Sequence, residues 1–352
     1  MAKHFFIPFI CLLAFTMCRK PEIHTEPSVI TNPPIPPEYQ LVDTVDMTSS
    51  PIPFGYGVEQ MIFDSKDRLW VISEALKLYR YDPNTKIWTY FNSGSFQANL
   101  QDIFFGISEI EAGNGDDIYA IDLNGSNGYF YKYNGSFWQR DSVDSRKLYC
   151  IWFDKSTKTL WINSDKGVFE VNENQKRLHA DMSLRNAKGW YLLYDLVGDK
   201  QGNIWVAGDE FVAKYDGSQW RKIELNRLAN SYAVNLNIAI DNKNQIWTGV
   251  ANYFHAYDGA NITYNFADSL KKFDYSCVDA FINPKSDNVF LSSFSSEIMF
   301  IQPHLNKFKK INSKNTDFIT QQPKKIAVAF DLKGDVWVGG NRFIGKLPTN
   351  VK

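Results

Sequence analysis

A chain of 352 residues with 44% apolar, 22% charged and 15% aromatic residues has the composition of a folded globular protein, and this excludes a disordered or fibrous one. Its 38 Lys and Arg balance its 39 Asp and Glu, for a formal charge of −1. A nucleic-acid binder working through a broad basic field is therefore excluded, and no nucleic-acid partner is expected.

Residues 1–18 read as a signal peptide. Met-Ala-Lys-His is followed by an apolar run, residues 5–17, that is too short to span a bilayer and the right size for the hydrophobic region of an export signal. The run stops at Cys18, before Arg19-Lys20-Pro21. This resembles a bacterial lipoprotein signal, in which the cysteine becomes the lipid-modified first residue. The resemblance implies export, lipidation at Cys18, membrane contact through that anchor only, and a place in the bacterial cell envelope, on the periplasmic or surface side of the outer membrane. Residues 19–38 contain Pro33-Pro34 and Pro36-Pro37, which favour a stiff, extended tether. Residues 39–46, Tyr-Gln-Leu-Val-Asp-Thr-Val-Asp, alternate as a half-buried strand does.

From there to the end the chain repeats itself. Residues 199–223, DKQGNIWVAGDEFVAKYDGSQWRKI, show the unit: a tight Asp-x-x-Gly turn, a β-branched and aromatic run, a second run, an Asp-Gly hairpin signal and a closing run. With the apolar run before Asp199 this makes four antiparallel strands. The aromatic of the second strand recurs as Trp70, Tyr119, Trp161, Trp205, Trp247, Phe290 and Trp337, at intervals of 49, 42, 44, 42, 43 and 47 residues. A four-stranded unit of about 42–44 residues is the period of one propeller blade. The expected fold is all-β, a seven-bladed β-propeller over residues 39–352. The seventh unit, ending near residue 347, lacks a fourth strand, and residues 39–46 are a strand to spare. Pairing them closes the ring and removes two sheet edges.

The Asp-x-x-Gly turn followed by Ile/Val-Trp-Val, seen at residues 199–206 and 331–338, resembles the propeller repeats of two-component regulators, the periplasmic sensor modules of hybrid histidine kinases. The resemblance covers about residues 61–347 and implies a sensing or binding role. The sequence ends soon after the seventh unit, so a module without its own kinase is expected.

Candidate chemistry is sparse. His4, His24, His179, His255 and His304 do not cluster, so neither a metal site nor a cofactor is expected. Cys150 and Cys277 fall on blades across the ring from one another, beyond the roughly 7 Å reach of a disulfide, and should be unpaired. Residues 122–128, Asp-Leu-Asn-Gly-Ser-Asn-Gly, look like a calcium loop, but the glycine is one place late and Tyr133 stands where such loops carry Glu. They are read as a polar turn.

One register is more informative. Four residues before the turn of successive units stand Gln60, Cys150, Asp195, Asn237, Asp279 and Ala327, mostly polar and at the start of the inner strand, where a propeller has its channel mouth. Aromatics of the blade connections surround it: Phe96, Tyr149, Trp190, Tyr191, Tyr232, Phe273 and Tyr275, with Tyr253 on the rim. Gln60, Asp195, Asn237 and Asp279 with Tyr149, Trp190, Tyr191, Tyr232, Tyr253 and Tyr275 form the expected ligand-binding set, suited to a glycan, a small molecule or an envelope protein. The alternative is that they solvate the channel and fill blade interfaces. The leading reading is a monomeric, non-catalytic binding module; a polysaccharide hydrolase or lyase using channel-mouth carboxylates and a structural envelope scaffold stand beside it.

Overall fold

The computed structural model describes residues 40–348 except 54–55, 93–105, 123–126, 186–188, 190, 209–210, 225–236, 251–252, 260–261, 267–278 and a few positions between 294 and 324. By its contacts the chain divides into Met1–Pro34, outside the described residues, and Ile35–Lys352. Cys18 and the whole proline-rich stretch, residues 19–38, are likewise outside the described residues.

The described residues of the second unit form seven four-stranded antiparallel sheets. The inner strands are β2 (Val58–Phe63), β6 (Ile107–Ala112), β10 (Leu148–Asp154), β14 (Leu193–Gly198), β18 (Ile238–Ile240), β22 (Asp279–Ile282) and β26 (Ala327–Phe330). Each is hairpin-paired to a second strand: β3 (Leu69–Ser73), β7 (Ile118–Asp122), β11 (Thr159–Ser164), β15 (Ile204–Gly208), β19 (Ile246–Val250), β23 (Val289–Ser292) and β27 (Val336–Gly340). The seven repeat aromatics all lie on these second strands, so the period of the sequence is the period of the blades.

The turn joining first and second strands explains the Asp-x-x-Gly signature. Asp199 Oδ1 accepts from the amides of Gln201 and Asn203, both at 2.9 Å, while Oδ2 accepts from Trp205 Nε1 at 2.9 Å. The same arrangement ties Asp64 to Trp70 (2.8 Å), Asp241 to Trp247 (2.9 Å) and Asp331 to Trp337 (3.1 Å). The residue three after the aspartate has positive φ in all four: Asp67, Gly202, Asn244 and Gly334. Glycine or a short polar residue tolerates that conformation best. In the third and sixth blades the turn is one residue longer, Asp154 to Trp161 and Asn283 to Phe290, and positive φ moves to Lys158 and Asp287. Trp161 then loses register with its aspartate, and its buried Nε1 has no partner.

Packing is organised by interfaces between blades. Seven apolar clusters each draw on two neighbouring blades. Between the first and second, Trp70 stacks on Phe91 at 5.0 Å and meets Trp138 edge-on at 6.3 Å, with Tyr133 between. This is where the aromatic richness of the sequence goes.

The ring closes as expected. β1 (Asp43–Thr44) is the outermost strand of the last sheet, in the order β1-β28-β27-β26, with β28 at Phe343–Lys346. The strand is shorter than residues 39–46, but amides of Val42 and Val45 donate to Lys346 O and Ile344 O, both at 2.9 Å, and extend the pairing by one residue at each end. Gly345 admits it: a Cβ there would lie 2.6 Å from Leu41 Cδ1 and 2.8 Å from Asp43 O.

Candidate functional site

The inner strands surround a channel whose cavity measures about 570 Å³. Four of them slip register at one place, skipping Glu59, Ser108, Tyr149 and Tyr194. Such a bulge turns two successive side chains to one side. Thus Glu59 with Gln60, Ser108 with Glu109, and Tyr194 with Asp195 all line the channel.

The second residue of each pair reaches the next blade. Gln60 Oε1 accepts from Ile110 N at 2.9 Å and its Nε2 donates to Ile110 O at 3.2 Å. Glu109 Oε1 accepts from Ile151 N at 3.3 Å, and Asp195 Oδ2 from Ile238 N at 2.8 Å. Cys150 holds this position in the third blade and is a buried free thiol. There Asn163, its cross-strand partner, bridges instead, donating Nδ2 to Cys150 Sγ at 3.0 Å and to Asp195 O at 3.2 Å. Asp279, in the sixth blade, pairs with Lys325 at 3.1 Å, and Lys325 pairs with Glu59 at 3.3 Å. Since Ala327 cannot bond, Lys325 joins the sixth, seventh and first blades from the inside, as β1 closes the ring from the outside.

Glu109, Glu111 and Asp195 are half-buried in the channel and hold their protons tightly. Burial pushes the Asp195 carboxyl up to about 7, the charge of Asp279 adding to it while the Ile238 and Leu196 amides oppose it. Burial likewise raises Glu111 to about 7 against Lys155 and the Phe153 amide, and raises Glu109 well above the usual range with help from Asp195. Lys325 is raised despite burial, because Asp279 and Glu59 more than offset it.

The structure thus brings Gln60, Asp195 and Asp279 together in one channel. Asn237 is buried beside them, its carbonyl accepting from Thr248 Oγ1 at 3.0 Å. Tyr149 is the bulge residue of β10. Tyr191 is buried in the cluster between the third and fourth blades, under the Arg185 guanidinium at 4.8 Å. Trp190, Tyr232, Tyr275, Phe96, Phe273, Cys277 and the side chain of Tyr253 lie outside the described residues. Sequence reading missed Glu109, Glu59, Glu111 and Lys325. Glu109 stands four residues before Gly113, so the same count finds it once Gly113 is accepted as a turn without its aspartate. Lys325 had no such signal, because it lies two residues off the register.

The opposite face, carrying the Asp-x-x-Gly turns, is tied to itself. Asp116 receives Lys66 at 2.6 Å and Arg68 at 3.0 Å, and Lys200 Nζ donates to Asn242 O at 2.9 Å. Asn242 N donates to Asp287 at 2.8 Å, Asn283 Nδ2 to Gly334 O at 2.9 Å, and Leu332 N to Asp67 at 2.9 Å. Among the described residues no group of three or more His, Cys, Asp or Glu could hold a metal ion.

No known family pattern and no well-described protein matches the chain by sequence. Solved structures do match in shape. A streptogramin B lyase has a TM-score of 0.66 at 13% identity, over 87% of this chain and 96% of that one. The extracellular domain of the hybrid two-component system BT4673 from B. thetaiotaomicron has 0.64 at 15%, over 87% of this chain and 42% of that one. YCF48 from Cyanidioschyzon merolae has 0.61 at 11%, over 87% and 98%. At these identities the likeness is one of fold. The chain is a seven-bladed β-propeller, and the propeller of a two-component system is among the structures that share its architecture.

Proposed function

We propose that this protein is a non-catalytic ligand- or partner-binding module of the bacterial cell envelope, using its channel-mouth face. The observation that carries the reading is the contrast between the two faces. Turns on one face are spent on ties between blades, while the starts of the inner strands bring polar side chains into a cavity of about 570 Å³ with mixed polar and apolar lining. A rigid ring presenting dissimilar loops around a concavity is a common form of binding site. The shared architecture with the extracellular domain of BT4673 supports a sensor-like use and an exported location. The binding set is Gln60, Asp195, Asn237 and Asp279 at the channel, with Tyr149, Trp190, Tyr191, Tyr232, Tyr253 and Tyr275 around it. The partner class is a glycan, a small molecule or an envelope protein, met by a monomer. A screen of the 39–352 fragment against glycans, peptides and small metabolites tests this, and no saturable binder on any panel contradicts it.

Anchoring belongs to the same reading: residues 1–18 are the signal, residues 19–38 the tether, and Cys18 the lipid site at the outer membrane. Cys18→Ala then releases the protein from the membrane fraction. An unmodified mature N-terminus by intact mass in the native host contradicts it.

A second reading, a hydrolase or lyase on polysaccharide, draws on the carboxyls of Asp195 and Glu111 near 7, suited to general acid work, and on a lyase among the fold neighbours. Against it, both oxygens of Asp195 already accept backbone amides, from Ile238 and Leu196, each at 2.8 Å. Asp195→Asn keeps one such acceptor, so loss of a measured polysaccharide-cleaving activity in that variant would favour the enzyme.

A further inference from the structure

We infer that the channel takes a small organic cation with an apolar body, an amine of the arylalkyl or alkyl class. The inference rests on the binding reading above and names the ligand chemistry of the same cavity. The cavity has two tiers. Nearer the mouth its wall is polar, with Glu59, Gln60, Glu109, Asp195, Asp279 and Lys325. Two residues further along six of the seven inner strands, β18 excepted, it becomes apolar: Ile62, Trp152, Val197, Phe281 and Ala329, with Glu111 the one carboxylate among them.

An apolar body in the lower tier removes water from aromatic and aliphatic surface, which is the main favourable term of such binding. Trp152 and Phe281 also put aromatic rings in the wall, and aromatic rings attract cations. A charged end then meets the carboxylates. Among the described residues the wall carries five of them, Glu59, Glu109, Glu111, Asp195 and Asp279, against one cation, Lys325, which is already shared by Asp279 and Glu59. Among the described residues Glu109, Glu111 and Asp195 have no ion-paired side chain in the channel wall, and burial makes them keep their protons to unusually high pH. An ammonium group supplies that charge, whereas a carboxylate or phosphate ligand would add to the repulsion.

The geometry sets the pH behaviour. The charged and titratable groups facing the site among the described residues are Glu59, Glu109, Glu111, Asp195, Asp279, Lys325, the Tyr194 phenol and the Cys150 thiol, with Lys155 near Glu111 from the turn after β10. Of these Asp195 and Glu111, raised to about 7, change charge between about pH 5 and 8, in which range an alkylamine stays protonated. Amine affinity should therefore rise with pH across that window.

The test is calorimetric titration of the 39–352 fragment with phenethylamine and hexylamine, against the neutral alcohols and the carboxylic acids of the same skeletons, at pH 5.5 and 8. Expected are saturable binding of an amine, at least about tenfold weaker binding of its alcohol, no binding of the acid, and tighter amine binding at the higher pH. Glu111→Gln keeps an acceptor for the Phe153 amide and should weaken the amine about tenfold without moving the alcohol. If alcohols or acids bind as well as amines, or Glu111→Gln leaves amine affinity unchanged while the variant folds, the inference is overturned. A neutral glycan or peptide that occupies the channel where amines do not bind also overturns it, and leaves the binding-module reading standing.

Discussion

At the residue scale, one aspartate per turn does most of the local organising. Asp241 is buried, accepts from the Lys243 and Gln245 amides, and also holds Gln245 Nε2 and Trp247 Nε1. Removing a buried acceptor leaves several donors unsatisfied, so Asp241→Ala should cost about 2–4 kcal/mol by denaturant unfolding. Asp154, which bonds Ser156 and Thr157 but not Trp161, should cost less, about 1 kcal/mol. Equal losses would mean that the indole bond contributes nothing.

The channel carboxylates make a second residue-scale prediction. Asp195 and Glu111, near 7 in the fold, ordinarily titrate near 3.8 and 4.5. Between about pH 4 and 7 the folded chain keeps protons that the unfolded chain has released, so their contribution to stability is full at low pH and is lost as pH rises through 7. Turn aspartates such as Asp154 and Asp165, held low by hydrogen bonds, act in the opposite sense. The difference between wild type and Asp195→Asn isolates the channel term. The variant should gain stability relative to wild type as pH rises from 5 to 8, and a constant difference across that range would contradict the assignment.

At the element scale, the strand that closes the ring is the shortest and the most consequential. Without β1, the backbone edge of β28 would be open, along with the surface that Val45 covers in the cluster between the last and first blades. Deleting residues up to 37 should leave the unfolding midpoint nearly unchanged, whereas deleting up to 46 should lower it sharply. Equal midpoints would remove this strand from the account. The closure was legible in the sequence because a spare alternating strand at one end matched a missing one at the other. The seven-residue spacing from Asp154 to Trp161 and from Asn283 to Phe290 was visible too, but its consequence was not, since Asp154-Lys-Ser-Thr reads like any other turn until the position of positive φ is known. Trp161 without its aspartate is the cost of that extra residue.

At the scale of the whole molecule, a repeating sequence yields a ring with two unlike faces, and the difference lies in where the polar groups are spent. Blade number and strand order followed from the spacing of seven aromatics, because each blade needs one packed ring at the same depth. The channel site was legible only in part. Gln60, Asp195 and Asp279 emerged from counting back from the turn, but the count did not reveal that Gln60 and Asp195 bond to the next blade's backbone. It also passed over Glu109, whose turn has glycine for aspartate, and Lys325, whose partners come from the blades on either side. Such contacts depend on the curvature of the ring, which no local pattern encodes.

The central claim is that binding belongs to the channel-mouth face. Hydrogen exchange of the 39–352 fragment, with and without the tightest binder from the screen, tests it most directly. Protection should appear at the starts of the inner strands, around residues 107–109, 148–150 and 193–195, and not at the Asp-x-x-Gly turns. Protection centred on the turns near residues 200 and 333, with the channel mouth unchanged, would contradict the account.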